Sequence, residues 1–319
     1  MEFGKLYNLT GIDFTFPEEP AENEKILKIL DFGFRISESM ENPKSEIRNP
    51  KSIYVGCTGW YMKEWLGTVY PAKAKSQDFV HYYGQQFNTV ELNTTHYRIP
   101  SLDEVKKWRD ETPDDFRFAP KMLQTVSHAK DLGYGTGLTA NFIENILHLE
   151  NRLGITFLQL PPTFGYNQLK ILETYLSKVA HIIPLAVEIR NEDLIGDKEK
   201  FNIFCQLLEN YKVSTVITDV SGRRDVLHMR LTTPHVLIRF VGNNLHPSDF
   251  ARVDAWVEKI KYWLEKGLQS VYFFSHQPDN IQSPIMARYF FEKLSEKIKI
   301  NGRCYKPIIE KPDAQMKLF

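Results

Sequence analysis

Short β-branched and aromatic runs alternate with helical patterns from Ile53 onward. The runs are IYVGCTGW (53–60), NTVELNTT (88–95), RFAPKM (117–122), TFLQLPP (156–162), PLAVEIRN (184–191), STVITDV (214–220), HVLIRFVG (235–242) and SVYFFSHQ (270–277). Runs of this length and composition predict strands. Between them, apolar residues recur at helical spacing. Phe79, Tyr82, Tyr83 and Phe87 share one face, as do Leu169, Leu172 and Leu176, and Phe201, Phe204 and Leu208. Ser101 and Glu104 have capping-box spacing ahead of Val105 and Trp108. Phe142, Ile143, Ile146 and Leu147 predict a helix stopped at Gly154. The clearest stripe is Phe250, Val253, Trp256, Val257, Ile260 and Trp263, ended by Gly267; Tyr289, Phe290, Leu294 and Ile298 close the series. After the sixth run, GRRDVLHM gives the weakest helical pattern.

Eight strand–helix units over about 250 residues predict an α/β (β/α)8 TIM barrel. A doubly wound sheet would need a glycine-rich turn after the first strand, and VGCTGWYMKEW lacks the GxGxxG spacing. Residues 1–52 read as an N-terminal extension and loop, with Asn-Pro-Lys-Ser at 42–45 and again at 49–52. Pro43 and Pro50 lack amide donors and make that stretch an exposed loop. The barrel is expected over 53–300 and an extended C-terminal tail over 301–319.

Composition narrows the class of function. Lys+Arg and Asp+Glu are both 40, so the formal net charge is zero and no global basic field holds nucleic acid. An anion site must be local. Cys57, Cys205 and Cys304 are odd in number and far apart, against a disulfide framework or a cysteine zinc site. No apolar run approaches the roughly 20 residues of a membrane span. A soluble, cytoplasmic chain without a membrane role is expected.

In barrels, chemistry gathers where strand C-termini meet their loops. The candidates there are Glu91 and Asn93, Lys121 with His128 beyond it, Gln159, Glu188 and Arg190, Asp219, Arg239 and His276, with Trp60 after the first strand. Residues two apart on a strand share a face, so Glu91 goes with Asn93 and Glu188 with Arg190. Lys121, Arg190 and Arg239 could hold a phosphate or carboxylate. Glu91, Glu188 and Asp219 could serve as catalytic base or acid, or as metal ligands. The alternative is that Glu188–Arg190 and Asp219–Arg239 merely neutralise each other. His96, His128 and His276 with the three carboxylates could form a divalent-metal site, although no ligand spacing signals one. Cys57, beside Gly56, reads as buried and inert.

The strings VGCTGWYMKEWLGTVYP, FNTVELNTTHYRIP, WRDETPDDFRFAPKM followed by SHAKDL, FLQLPPTFG, AVEIRNED and VITDV occur in this order. They resemble the YecE-like family, known as domain of unknown function seventy-two, over roughly residues 53–300. The resemblance implies a TIM barrel and carries no established activity. The family's polar strand-end positions correspond here to Glu91, Asn93, Lys121, His128, Gln159, Glu188, Arg190 and Asp219. The last strand ends FFSHQP where many members carry an Asn pair, which puts the role of His276 in question. The N-terminal segment looks like an elaboration of one branch of the family.

The chain ends Gln315-Met316-Lys317-Leu318-Phe319. This resembles the peptide by which bacterial DNA-processing proteins dock on the sliding clamp, with Leu318 and Phe319 filling an apolar pocket and Gln315 at its rim. Leu318 and Phe319 could equally fold back on the barrel. The functional expectation is an enzyme acting on a small phosphate-bearing ligand, a hydrolase in nucleic-acid metabolism being one form. The alternatives are a carbohydrate-active enzyme using Glu91 and Glu188 as paired carboxylates, with Trp60 and Tyr97 stacking on the sugar, and a ligand-binding adaptor without turnover.

Overall fold

A computed structural model describes residue 4, residue 6 and residues 8–29, 51–300 and 302–308. The clamp-like residues Gln315, Met316, Leu318 and Phe319 lie outside the described residues, as do Pro43 and Pro50.

All eight predicted strands form: β1 Ser52–Cys57, β2 Thr89–Leu92, β3 Arg117–Pro120, β4 Thr156–Gln159, β5 Leu185–Glu188, β6 Ser214–Val220, β7 His235–Val241 and β8 Ser270–His276. Every ladder is parallel. Six strands form one sheet in the order β1-β8-β7-β6-β5-β4, and β2 pairs with β3 in a second. Two seams separate the sheets, and each is bridged. At one, the Asn88 side chain replaces a backbone ladder: it accepts from Val55 N at 2.9 Å and donates to Ile53 O at 2.8 Å. At the other, Gly154 N donates to Phe118 O at 2.8 Å and Met122 N to Phe157 O at 2.9 Å.

At Gly56, β1 runs tight against β2. A Cβ there would sit 2.0 Å from Thr89 O. Because backbone cannot yield as a side-chain tip can, Gly56→Ala is expected to cost about 2 kcal/mol of unfolding free energy. Urea denaturation reads this, and an unchanged midpoint would mean that the seam is loose.

Two apolar clusters flank the strands. The smaller contains Ala119, Ile155, Phe157, Ala186, Val216, Leu237, Tyr272 and Phe274, with Tyr54 packed against it. It draws on β1 and on β3 to β8, so both sheets enclose it. The larger lies between strands and helices and includes Val55, Val90, Phe118, Leu158, Val187, Ile217, Ile238 and Phe273. Alternate residues of β1 and of β3 to β8 thus enter opposite cores, which is the strand period of two.

The helices follow the sequence pattern with local departures. Ser101 and Glu104 form the expected capping box on the helix Leu102–Asp110. The helix Pro247–Lys266 buries Val253, Trp256, Val257, Ile260 and Trp263 and stops before Gly267. The helix Leu138–Leu147 ends well before Gly154, which serves the β3–β4 seam instead. The weak segment after β6 yields only the 3-10 turn Arg224–Val226.

The N-terminal extension packs on the helix Pro247–Lys266. The Phe16 ring lies 4.6 Å from that of Trp256, and Glu19 accepts from Trp263 Nε1 at 2.8 Å and Lys259 Nζ at 2.9 Å. Buried Asn23 donates to Met229 O at 2.7 Å and accepts from Leu231 N at 2.8 Å. No described helix is long and apolar enough to cross a membrane.

Candidate functional site

One set of side chains stands directly above the smaller apolar cluster. Lys121, Gln159, Glu188, Arg239 and His276 each follow a cluster member by two residues: Ala119, Phe157, Ala186, Leu237 and Phe274. They therefore face the same interior, one layer nearer the strand C-termini. Glu91, at the end of β2, completes the layer.

Arg239 is its hub. Its Nε donates to Glu91 Oε2 and its Nη2 to Glu91 Oε1, both at 2.8 Å, while Nη1 donates to Glu188 Oε2 at 3.0 Å. Arg190 Nε donates to Glu188 Oε1 at 2.5 Å. Asn93 Nδ2 donates to Glu91 Oε1 at 2.9 Å, and His276 Nε2 lies 3.2 Å from Glu91 Oε2. Lys121 Nζ donates to Gln159 Oε1 at 2.9 Å. Lys121 and Arg239 both lie over the Phe157 ring, 5.9 and 5.5 Å from its centre. The two glutamates are fully buried, and Arg190, Arg239 and Lys121 are nearly so.

Burial alone would raise both carboxyls, but the arginines outweigh it. Arg239 and His276 hold Glu91 well below the usual carboxylate range. Arg190, Arg239 and Lys121 bring Glu188 down to about 2. Burial, reinforced by Arg239, lowers the Lys121 ammonium to about 8, although Glu91 and Glu188 pull the other way. Burial and Lys121 lower His96 to about 4 and also lower His128. The His96 and His128 ring centres are 5.8 Å apart, and His96 Nδ1 lies 2.7 Å from Met122 O. Donation to that carbonyl leaves Nε2 of the neutral ring as an acceptor.

The structure thus brings together Glu91, Asn93, Lys121, Gln159, Glu188, Arg190, Arg239 and His276, with His128 close to Lys121. Asp219 and Trp60 lie elsewhere. Asp219 has the opposite parity on β6, so its carboxylate points toward the helix Pro247–Lys266. There it accepts from Arg252 Nη1 at 3.0 Å, from Trp256 Nε1 at 2.8 Å, and from Arg224. Its sequence-level pairing with Arg239 does not form. Trp60 is buried against Trp108 and Phe118, with ring centres 5.5 and 6.0 Å away, on the helix side of β3.

Thr218 was not among the candidates. It pairs with Arg239 in register and follows Val216 of the apolar cluster by two, and its buried hydroxyl has no hydrogen-bond partner. Counting parity along β6 from Val216 would have selected Thr218 over Asp219. Cys57 is buried, and burial pushes its thiol well up. Among the described residues, no group of three or more His, Cys, Asp or Glu could hold a metal ion.

Solved structures with the same fold include a DUF72 family protein from Enterococcus faecalis V583. It is 19% identical with a TM-score of 0.62, and the match covers 77% of this chain and 99% of that one. A DUF72 family protein from Thermotoga maritima MSB8 is 26% identical with a TM-score of 0.55, over 76% of this chain and 99% of that one. Among curated proteins, the UPF0759 protein YecE of Escherichia coli K12 is 29% identical over 76% of this chain and 92% of its own length. The UPF0759 protein YunF of Bacillus subtilis 168 is 30% identical over 44% of this chain and 51% of its own. The family model described as "Protein of unknown function DUF72" matches residues 54–308, which run from within β1 past β8 and include every member of the charged layer, and the chain belongs to that family.

Proposed function

We propose that the chain is an enzyme acting on a small phosphate-bearing ligand held at the strand C-termini, and that its two sheets close into one (β/α)8 barrel with this site at the mouth. The supporting observation is a surplus cation. Among the described residues, Glu188 pairs with Arg190 and Arg239, and Glu91 pairs with Arg239, whereas Lys121 has no carboxylate at salt-bridge distance. A nearly buried ammonium without a counter-charge is costly, and an incoming anion relieves that cost. With a pKa of about 8, Lys121 can both neutralise the anion and release a proton in the neutral range.

The paired-carboxylate reading is less well supported. A glycosidase acid needs a raised pKa, whereas Glu91 and Glu188 are both held ionised by Arg239.

Calorimetric titration with inorganic phosphate and phenyl phosphate tests the reading. Binding is expected at neutral pH and should weaken about ten-fold or more in Lys121→Met. Lys121 is charged below about 8. Phosphate affinity should therefore decline as pH rises through that value in the wild type and stay flat there in the variant. Equal phosphate affinity in the two proteins would overturn the proposal.

A further inference from the structure

Away from the charged layer, a cavity of ≈ 400 Å³ opens between the helices Leu138–Leu147 and Leu169–Val179. Its walls are Leu132, Ile143, Ile171, Val179 and Ile182. The segment 131–137 arches across it, turning at Gly135 and Gly137, which both have positive φ. The arch is fastened to the far helix, because Lys178 Nζ lies 3.8 Å from the centre of the Tyr134 ring. Such a cation–π contact ties the two sides together without filling the space beneath.

The cavity holds one polar anomaly. Tyr175 lines it, and its buried hydroxyl makes no hydrogen bond of ordinary geometry; its polar neighbour is the Thr139 hydroxyl, which faces the Tyr175 oxygen as a donor and leaves the Tyr175 O–H without an acceptor. A buried donor left unsatisfied is destabilising, and such groups are rare unless something outside the chain completes them. The rim is electrically balanced. Lys178 is engaged by Tyr134, and Asp131 Oδ1 accepts from Gly133 N at 3.0 Å. The two rim charges are opposite in sign, so the rim gives a charged ligand no net attraction. The volume lies within the range of small-molecule sites, and an apolar wall with a few directional groups, here Tyr175 with Thr139 and Thr174, is their usual make-up.

We propose that this cavity is a second ligand site, taking a small uncharged molecule with an apolar, ring-sized body and one hydrogen-bond acceptor, which meets the Tyr175 hydroxyl. The site is separate from the charged layer and does not depend on the phosphate reading.

Acetophenone and α-methylstyrene are near-isosteric probes that differ in having a carbonyl or a methylene at the position of the acceptor. Each is titrated into the full chain carrying labelled isoleucine methyls. Acetophenone is expected to shift the methyls of Ile143, Ile171 and Ile182 while leaving those of Ile217 and Ile238 unmoved. Tyr175→Phe removes only the hydroxyl, whose polar neighbour is Thr139, so its melting temperature should change little. It should weaken acetophenone about five-fold, the worth of one neutral hydrogen bond, and leave α-methylstyrene unchanged. Absence of shifts at the three cavity methyls up to the solubility limit overturns the site. Equal loss of both probes in Tyr175→Phe, or loss of neither, overturns the role given to the hydroxyl.

Discussion

Replacing Arg239 by methionine is expected to lower the unfolding free energy by about 3–5 kcal/mol, the cost of breaking a buried ion pair from one side. The guanidinium grips Glu91 with two hydrogen bonds and Glu188 with a third. Without it, two fully buried carboxylates lose a counter-charge, which for Glu91 is the principal one. The acid limb of stability should move with it. In the wild type Glu188 is held at about 2, below its ordinary 4.5. A carboxyl depressed by folding contributes stability that is complete above the unfolded value and is lost as pH falls through the folded one. Wild-type stability should thus decay between about 4.5 and 2, whereas in Arg239→Met the carboxyls lose a charge that depresses them, so this acid loss should shrink and the variant's deficit should narrow as pH falls. Adding Glu91→Gln to Arg239→Met should recover about 1 kcal/mol or more, because the two residues form one network. Urea titrations over a pH series read all three effects. A single variant within about 0.5 kcal/mol of the wild type would show that the network is not a buried charge cluster.

Asp219→Ala should be similarly severe, by about 3–5 kcal/mol, for a structural reason. The carboxylate is fully buried and receives Arg252, Arg224 and the Trp256 indole. Its removal leaves the Arg252 guanidinium, itself 1% exposed, with Asp249 as its remaining carboxylate. The decisive comparison is Asp219→Ala with Arg252→Met. If the two act as one unit, the double variant should lose much less than the sum of the single losses. Additive losses would mean that Asp219 acts elsewhere. Phosphate binding by the folded fraction of Asp219→Ala should match the wild type, since the carboxylate faces away from the charged layer.

The sequence by itself determined the order and place of all eight strands, because a parallel strand covered on both sides is a short β-branched run that helices must separate. It also named most of the charged layer: Glu91, Lys121, Gln159, Glu188, Arg190, Arg239 and His276 all stand at strand ends. Which of them act together was less legible. Strand-end position alone cannot tell the inner face from the outer, and a shift of one residue moves a side chain to the opposite core. Asp219 and Thr218 show this. Both are polar and adjacent, but only Thr218 shares the parity of Val216 and so faces Arg239. The sequence-level pairing of Asp219 with Arg239 fails for the same reason. Trp60 followed a strand as a site residue should, but the aromatic surface of Trp108 and Phe118 drew it to the helix side.

Tertiary structure alone decided the charge balance. Arg239 meets Glu91 across 148 positions of chain, and no local pattern foretells that contact. Nor does any local pattern show that Lys121 is the cation left with an amide for a partner. Strand identity follows from which residues are apolar along a few positions. Ion pairing follows from which strands become neighbours, and that is settled by the packing of the whole chain.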